Sequence, residues 1–396
     1  LPLDDEQSFK VSIKENDYDI KRVDYELYSI YDGKLIESDN IKALEQEGQY
    51  KMAKIKFKAD LKEGQEYSAK ITLITNKSKK IHYYTRIKYI NDSKYKKKID
   101  YVNYFHNATL SKDDSIVDYL ELTDSSLDSL AYVTVNSSFQ QVTWQDLNPQ
   151  VIGDVIPTVK EISKEFASIE LKYMVLVEKE EAAEYYHVSE FYRIRYSNTR
   201  TYLLNYERKM EAVLDKDQIN GINNEIKLGI TNNTDIELIK NSDQSKLAFV
   251  FNRELWYFNQ LNHQGVNVFS FAQENSDYLR DVYDEHDVKI INMDEGGNID
   301  FMVYGYMNRG AYEGYVGVLL YRFYSMDDRI EELAYIPLNV PYQVLKEMMK
   351  DFTYLNQVET FYFHINDSLY GYNLVTKEFQ VITSGIDLDN FVYSKS

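Results

Sequence analysis

Residues 249–259, FVFNRELWYFN, line up with residues 363–373, FHINDSLYGYN, and this internal repeat decides the fold of the C-terminal part of the chain. Phe, Asn, Leu and Asn recur at the same offsets, and each copy runs on into an apolar stretch, at residues 266–271 and 379–382. Each copy therefore indicates a strand, a turn, a strand, a turn and a strand, which is the layout of a propeller blade.

Two further stretches between the copies, residues 300–307 and 314–324, are apolar on both faces and indicate another such unit. Residues 391–396 are typical of the first strand of a next unit, so we predict that residues 239–396 form β-propeller-like repeats that are incomplete at the C-terminus. A β-sandwich core is the alternative, because short apolar runs fit both architectures.

The N-terminal residues 1–92 predict a small β-sandwich. Apolar residues alternate with polar ones in several short runs, such as Val23, Tyr25 and Leu27. The stretch from Leu61 to Tyr67 is similar to the corner of fibronectin type III and immunoglobulin-like domains, where Gly makes the turn and Tyr bonds back to the loop backbone.

The middle region, residues 93–238, predicts an α+β domain with an antiparallel meander. Residues 113–122 have helical spacing and an acidic start, which indicates a short helix. Strict alternation over residues 167–177 predicts a long half-buried strand. Alternation on both sides of residues 197–198 predicts a hairpin.

Composition supports a mainly β, multi-domain protein. The 396 residues exceed one ordinary core, and 37 Tyr favour sheets over helix bundles. A net charge of −19 repels phosphate backbones and argues against nucleic-acid partners. The absence of Cys excludes disulfides, thiolate catalysis and Cys-based zinc sites.

One basic stretch, residues 77–98, departs from the acidic composition. It could face anionic lipid or an anionic wall polymer. The interpretation that we favour is an exposed edge strand and linker, where Lys discourages aggregation between sheets.

No group of residues predicts catalysis, a cofactor or a metal site. The six His are not at metal-binding spacing, and no nucleophile elbow, P-loop or dinucleotide motif occurs. The acidic stretch 284–287 could hold a cation but is better explained as a solvated turn. Residues 215–225 approach a calcium loop, but the glycine and the final Glu are out of place.

Three residues are candidates for contacting a partner: Arg309 and Tyr312, on a loop between two apolar strands, and Trp256. Arg, Tyr and Trp are enriched at binding hot spots, and Trp can stack on a sugar. The alternatives are a hairpin whose Arg pairs with a local acid, and a Trp buried in the core.

The chain resembles a family of uncharacterised, membrane-anchored extracytoplasmic proteins of Gram-positive, clostridial-type bacteria, through residues 83–86, 137–144, 190–193, 304–310 and 392–395. The resemblance implies an immunoglobulin-like N-terminal domain and a propeller-like C-terminal region. It also implies a place at the cell surface, with an N-terminal transmembrane anchor outside the present chain. It implies no activity.

The sequence therefore favours a non-enzymatic binding or scaffold module whose partner is a surface protein or a cell-wall glycan. We expect contact with the membrane only through the anchor. The alternatives are a cell-wall or glycan-processing hydrolase that uses Asp and Glu pairs, and a sensory or regulatory ectodomain for a membrane partner.

Overall fold

A computed structural model describes most of the chain. The described residues are 1–3, 6–15, 18–121, 129–178, 183–214, 219, 226–233, 236–272, 278–338, 340–349, 353–356, 359–365 and 368–385. Strands take 53% of the described residues and helices 11%, which confirms the mainly β, multi-domain fold class. Two compact units are present, one of Leu1–Val213 with Leu228–Asn233 and one of Leu214–Lys227 with Thr234–Ser396. The three domain boundaries stay a prediction.

The N-terminal region is the predicted β-sandwich. Its strands are β1 (Pro2–Leu3), β2 (Ser8–Lys14), β3 (Ile20–Ser29), β4 (Leu35–Ile41), β5 (Glu45–Glu47), β6 (Tyr50–Lys56), β7 (Glu66–Thr75) and β8 (Lys80–Tyr89). One sheet has the order β1-β8-β7-β3-β4 and the other β2-β6-β5. Both sheets contribute to one buried core, for example through Val23, Leu73 and Ile55. The hydroxyl of Tyr67 accepts a hydrogen bond from the Lys62 backbone N–H at 2.9 Å, so the corner forms as predicted.

The middle region is α+β. Its elements are α1 (Tyr95–Ser111), a 3-10 helix (Asp114–Tyr119), β9 (Tyr132–Thr134), α2 (Phe139–Val142), β10 (Gln150–Ile152), β11 (Thr158–Ile162), β12 (Phe166–Glu178), β13 (Ala183–Tyr196) and β14 (Thr201–Ala212). The sheet order is β10-β12-β13-β14-β9, with β11 also paired to β12. The long strand and the hairpin are confirmed as β12 and as β13 with β14. The predicted short helix is the 3-10 helix.

Helix α1 is the longest helix that the sequence interpretation missed, because its first turn lies in the basic stretch. The expectation that this stretch is an exposed linker is wrong for Lys98, which is 0% exposed. The Lys98 ammonium donates to the carbonyl oxygens of Ser163 at 2.6 Å and Lys164 at 3.0 Å. Burial lowers the pKa of Lys98 to about 8. The Phe166 carbonyl oxygen is a third acceptor. These three hydrogen bonds compensate for the burial of the Lys98 ammonium group.

The core of the middle region contains a buried carboxylate, Glu190, which is 0% exposed. It accepts hydrogen bonds from the Tyr173 hydroxyl at 2.8 Å and the Tyr192 hydroxyl at 2.5 Å, and it contacts His106 Nδ1 at 3.0 Å. Burial by itself raises the pKa of Glu190, but His106 and Tyr192 outweigh it, so the pKa lies below its ordinary value. This network is satisfied internally and specifies how the sheet and α1 pack.

The C-terminal region contains three four-stranded antiparallel meanders. The first consists of β15 (Leu238–Lys240), β16 (Lys246–Phe251), β17 (Glu254–Asn259) and β18 (Gln264–Phe269). After α3 (Tyr278–Asp281), the second consists of β19 (His286–Met293), β20 (Ile299–Tyr306), β21 (Val316–Tyr324) and β22 (Arg329–Leu338). After α4 (Tyr342–Met348), the third consists of β23 (Thr353–Leu355), β24 (Thr360–Ile365), β25 (Ser368–Asn373) and β26 (Phe379–Ser384).

The sequence repeat falls at equivalent places in the first and third meanders, on β16 with β17 and on β24 with β25. Its final Asn has the same role in both copies. Asn259 Oδ1 accepts from the Leu261 N–H at 3.0 Å, and Asn373 Oδ1 accepts from the Val375 N–H at 2.9 Å. Each Asn therefore ends its strand with a local turn. Closure into a propeller stays a prediction, and residues 391–396 lie outside the described residues.

A second repeated device, which the sequence interpretation missed, closes the first turn of each meander. The side-chain oxygen of an Asn or Asp accepts a hydrogen bond from a backbone N–H four or five residues later. The three pairs are Asn241 with Lys246 at 3.0 Å, Asp294 with Asn298 at 2.9 Å and Asn356 with Thr360 at 2.8 Å.

Among the described residues, no helix has both the length and the apolar character needed to cross a membrane.

Candidate functional site

The loop between β20 and β21 holds two of the predicted contact residues. Arg309 donates from Nε to the Phe271 carbonyl oxygen at 2.7 Å and from Nη2 to Asp281 Oδ1 at 2.9 Å. The side chains of this ion pair are only 12% and 7% exposed. Arg309 therefore ties its loop to the segment that connects the first and second meanders.

Other arginines near this loop are paired in the same way. Arg280 Nη2 contacts Glu313 Oε1 at 2.7 Å, and Arg253 Nη2 contacts Asp284 Oδ2 at 3.3 Å. These pairs join the connection before β19 to the loop after β20 and to the turn before β17. Internal charge pairs thus hold together three connections: the β16–β17 turn, the segment before β19 and the β20–β21 loop. We call this set of connections, residues 252–253, 270–272, 278–285 and 307–315, the loop platform.

Tyr312 and Trp256 lie in different environments. The Tyr312 ring stacks on Tyr335 with centroids 3.9 Å apart, and its hydroxyl donates to Glu332 Oε1 at 2.6 Å. Trp256 is 1% exposed on β17. Its indole N–H makes no hydrogen bond among the described residues, although it is close enough to the Glu254 carboxylate to lower the pKa of that group. A contact role for Arg309, Tyr312 and Trp256 stays a prediction.

Two ionisable side chains under the loop platform have displaced pKa values. Burial raises the pKa of Glu254 to about 7, even though Ser270 Oγ donates to its carboxylate at 2.5 Å. Burial also lowers the pKa of His286 to about 3. His286 is 7% exposed and packs against the Phe271 ring, so the expectation of a solvated turn at residues 284–287 is wrong there. No group of three metal-ligating side chains occurs in the part of the chain that the structure describes.

A groove of about 580 Å³ lies on the outer face of the larger sandwich sheet. Four neighbouring strands, β4, β3, β7 and β8, supply most of its surface. It is lined by Arg22, Asp24, Tyr25, Glu26, Ser38, Asp39, Asn40, Lys42, Lys70, Thr72, Lys80 and His82. Every side chain that lines this surface, which we call the sandwich groove, carries a polar or charged group.

The register of the strands arranges these side chains in rows. Asn40, Asp24, Thr72 and His82 pair directly across the four strands, so they form one continuous polar row. A second row lies closer to the turn between β7 and β8 and contains Arg22, Ile74 and Lys80. Lys42 extends this row on the other side of β3, because Val23 pairs with Ile41 and the next residue along each strand direction is Arg22 and Lys42. Side chains on one face of a sheet repeat every second residue, which puts both rows on the outer face.

The carboxylates of the groove are all paired. Arg22 holds Asp24 with two contacts, Nε to Oδ1 at 2.8 Å and Nη2 to Oδ2 at 3.1 Å. Lys70 lies 3.7 Å from Glu26, and Lys58 lies 2.5 Å from Asp39. These pairs neutralise the acidic side chains within the protein.

Two lysines of the groove are not used in these ion pairs. Lys42 and Lys80 are exposed, and neither has an ion-pair partner among the described residues. The groove contains four cationic side chains and three carboxylates, a formal charge of +1 on a chain of −19. The available charge in the groove is therefore positive.

His82 adds a neutral polar group at the β8 end of the polar row. Its Nδ1 lies 2.8 Å from the Thr72 hydroxyl. Burial, together with the nearby Lys70 and Lys80 ammonium groups, lowers the pKa of His82 to about 4. Near neutral pH, His82 is therefore an uncharged imidazole that can exchange hydrogen bonds with a ligand.

The sequence interpretation missed the sandwich groove, although part of the signal is visible. Arg22, Asp24 and Glu26 alternate with Val23, Tyr25 and Leu27, which marks one polar and one buried face of β3. The alternation does not reveal which strands lie beside β3. The pairing of β3 with β4 and β7 brings the polar residues of four separate segments together.

The comparisons with known proteins yield distant structural likenesses to solved structures. No protein family and no curated protein matches the chain. Among solved structures, the extracellular domain of a putative one-component system from B. thetaiotaomicron matches with a TM-score of 0.24 and 10% identity. The match covers 60% of this chain and 29% of that chain. At this similarity it supports no conclusion about the fold or the function of this chain.

Proposed function

We propose that the chain is a non-enzymatic binding module at the outer cell surface and that the sandwich groove is its contact surface. The observation that carries the proposal is the polar row from Asn40 to His82, flanked by the unpaired Lys42 and Lys80. The sequence resemblance to membrane-anchored extracytoplasmic proteins supports the cell-surface location.

The arrangement favours binding over hydrolysis. The carboxylates Asp24, Glu26 and Asp39 each lie beside a cation, at 2.8, 3.7 and 2.5 Å. Hydrolysis of a glycan requires one carboxylic acid that can donate a proton and a second group that is free to act on the substrate or on water. A surface of internally paired acids with hydrogen-bonding groups between them suits contact with a polar ligand instead.

The buried framework beneath the groove supports the same role. The alternate residues of the same strands, Val23, Tyr25, Leu27 and Leu73, belong to the sandwich core and are at most 6% exposed. The polar side chains thus stand on paired strands, except for Lys42, which directly follows β4. Strands fix positions more accurately than loops do. The three meanders of the C-terminal region fit a scaffold that presents or anchors this module.

The proposal can be tested by crosslinking the full-length protein on the surface of the cells that produce it. A photo-crosslinking amino acid would replace Asn40 in one variant and the exposed Lys62, outside the groove, in a control variant. We expect crosslinked envelope material from position 40 and not from position 62. Crosslinks from positions in the loop platform, with none from position 40, would overturn the assignment of the contact surface.

A further inference from the structure

We infer that the sandwich groove binds a polyol chain that carries phosphate groups. The inference rests on the proposed function and names the class of ligand for the same surface. It is carried by the separation of the two unpaired lysines and by the polar row beside them. Charge, geometry and hydrogen bonding each restrict the ligand.

The charge that is available in the groove selects an anion. Lys42 and Lys80 have no ion-pair partner among the described residues, whereas the carboxylates of the groove are paired with Arg22, Lys70 and Lys58. An anionic ligand would therefore meet two uncompensated ammonium groups. A cationic ligand would have to displace an existing partner from a carboxylate.

The type of cation favours phosphate over carboxylate. The planar guanidinium fork of Arg is the group that matches a carboxylate with two parallel hydrogen bonds. The fork of Arg22 is already used in this way by Asp24. The cations that remain are lysines, which act as point charges and commonly bind phosphate.

The distance between the lysines favours more than one phosphate. Lys42 and Lys80 lie in the same row, and the strands β4 and β8 are separated by β3 and β7. Three strand spacings amount to roughly 14 Å. One phosphate group would meet both ammonium groups only if both side chains extended toward each other. A chain with phosphates at intervals can cross the sheet and engage each lysine separately.

The polar row beside the two lysines favours hydroxyls in the linking part of the ligand. The Thr72 hydroxyl in the adjacent row is buried and already bonded to His82 Nδ1. The row offers a ligand the Asn40 amide on β4 and the neutral His82 imidazole on β8. Each can donate and accept hydrogen bonds. An apolar linker would leave these groups without compensation for the water that they lose, while a polyol can replace that water.

The test uses the full chain and poly(glycerol phosphate) as the probe, with glycerol 3-phosphate, neutral dextran and phosphatidylglycerol vesicles for comparison. Binding would be measured by isothermal titration at low salt. We expect the polymer to bind more tightly than glycerol 3-phosphate, and dextran and the vesicles to bind weakly. Lys42→Gln and Lys80→Gln should each weaken polymer binding about fivefold, and the double variant about 25-fold.

The matched control is Lys62→Gln, an exposed lysine outside the groove, which should leave binding unchanged. Thermal unfolding of all variants would show that the fold is intact. Equal losses for Lys62→Gln and Lys80→Gln, or preferred binding to vesicles, would overturn the inference. Tight binding of dextran in the groove without any lysine effect would also overturn it, yet would leave the proposed binding function standing.

Discussion

The sandwich groove and the loop platform are both rich in charged side chains, but they differ in where the charges are used. In the loop platform, Arg309 is bound to Asp281, with side chains that are 12% and 7% exposed. In the sandwich groove, Lys42 and Lys80 are exposed and have no ion-pair partner among the described residues. The first arrangement fixes the connections between sheets, and the second leaves charge available for a ligand.

The comparison shows that residue type alone does not identify a contact surface. Arg and Tyr on a loop indicate a hot spot by composition. Their value for binding depends on whether their polar atoms already have partners inside the protein. A lysine on an edge strand is an ordinary solubility device by composition, and it becomes a candidate ligand contact when the neighbouring acids are paired with other cations.

The largest expected effect is the loss of the buried pair in the loop platform. Arg309→Met removes the hydrogen bonds that Arg309 donates to Asp281 and to the Phe271 carbonyl oxygen. Removing one partner of a buried pair destabilises by about 3–5 kcal/mol. We expect a loss of this size in the free energy of unfolding of the C-terminal unit, measured by urea denaturation, and no change in polymer binding.

The control for this prediction is Arg329→Met. The Arg329 side chain is 51% exposed and contacts Asp327 at 3.5 Å. An exposed pair contributes about 1 kcal/mol or less, so the control should unfold almost like the wild type. A similar loss of unfolding free energy for Arg309→Met and Arg329→Met would contradict this account, because burial would then not distinguish charges that stabilise the fold from charges that are free to bind a ligand.

Salt should weaken ligand binding at the sandwich groove while leaving the buried ion pairs of the loop platform almost unaffected. Raising the ionic strength from about 0.05 M to about 0.5 M screens exposed charges strongly and buried pairs much less. We expect polymer binding to the groove to weaken by about tenfold or more. The melting temperature of the C-terminal unit should change little. Salt-insensitive binding would contradict a role for Lys42 and Lys80.

A smaller effect is expected from Glu254, which responds to pH. Folding raises the pKa of Glu254 from 4.5 to about 7, so the folded state favours the protonated form. The stability that depends on this preference is present below pH 4.5 and is lost as the pH rises through 7. Glu254→Gln should therefore raise the melting temperature at pH 8 and have little effect at pH 4.5. Calorimetry at both pH values would check this.

The smallest effect is expected from Tyr312→Phe. The change removes a hydrogen bond to Glu332 on the exposed side of the ring and keeps the stacking on Tyr335. Exposed hydrogen bonds contribute about 1 kcal/mol or less. Unfolding by urea should shift only slightly, and polymer binding should be unchanged. A clear loss of polymer binding would show that Tyr312 contacts the ligand.

Much of the fold could be predicted because alternation and turn residues are local signals. The strands of the sandwich, the corner at Tyr67 and the repeat at residues 249–259 and 363–373 were all visible in the sequence. Helix α1 was not, because its basic first turn resembles a solvated linker. The burial of Lys98 depends on carbonyl groups about 65 residues away, which no local pattern reveals.

The candidate site could be predicted only in part, and for a similar reason. The partner of Arg309 is Asp281, 28 residues earlier, so the sequence could not show that this charge is already used. The polar face of β3 was visible, but the groove requires the register of β4, β7 and β8. Long-range pairing therefore decides which of the charged residues are available to a ligand.

The most direct test of the availability of charge is lysine acetylation of the full chain with and without poly(glycerol phosphate), read by mass spectrometry. The account predicts that Lys42 and Lys80 react readily in the free protein and are protected when the polymer is bound, while Lys62 reacts equally in both states. Equal labelling of Lys42 and Lys80 in both states, with protection elsewhere on the chain, would contradict it.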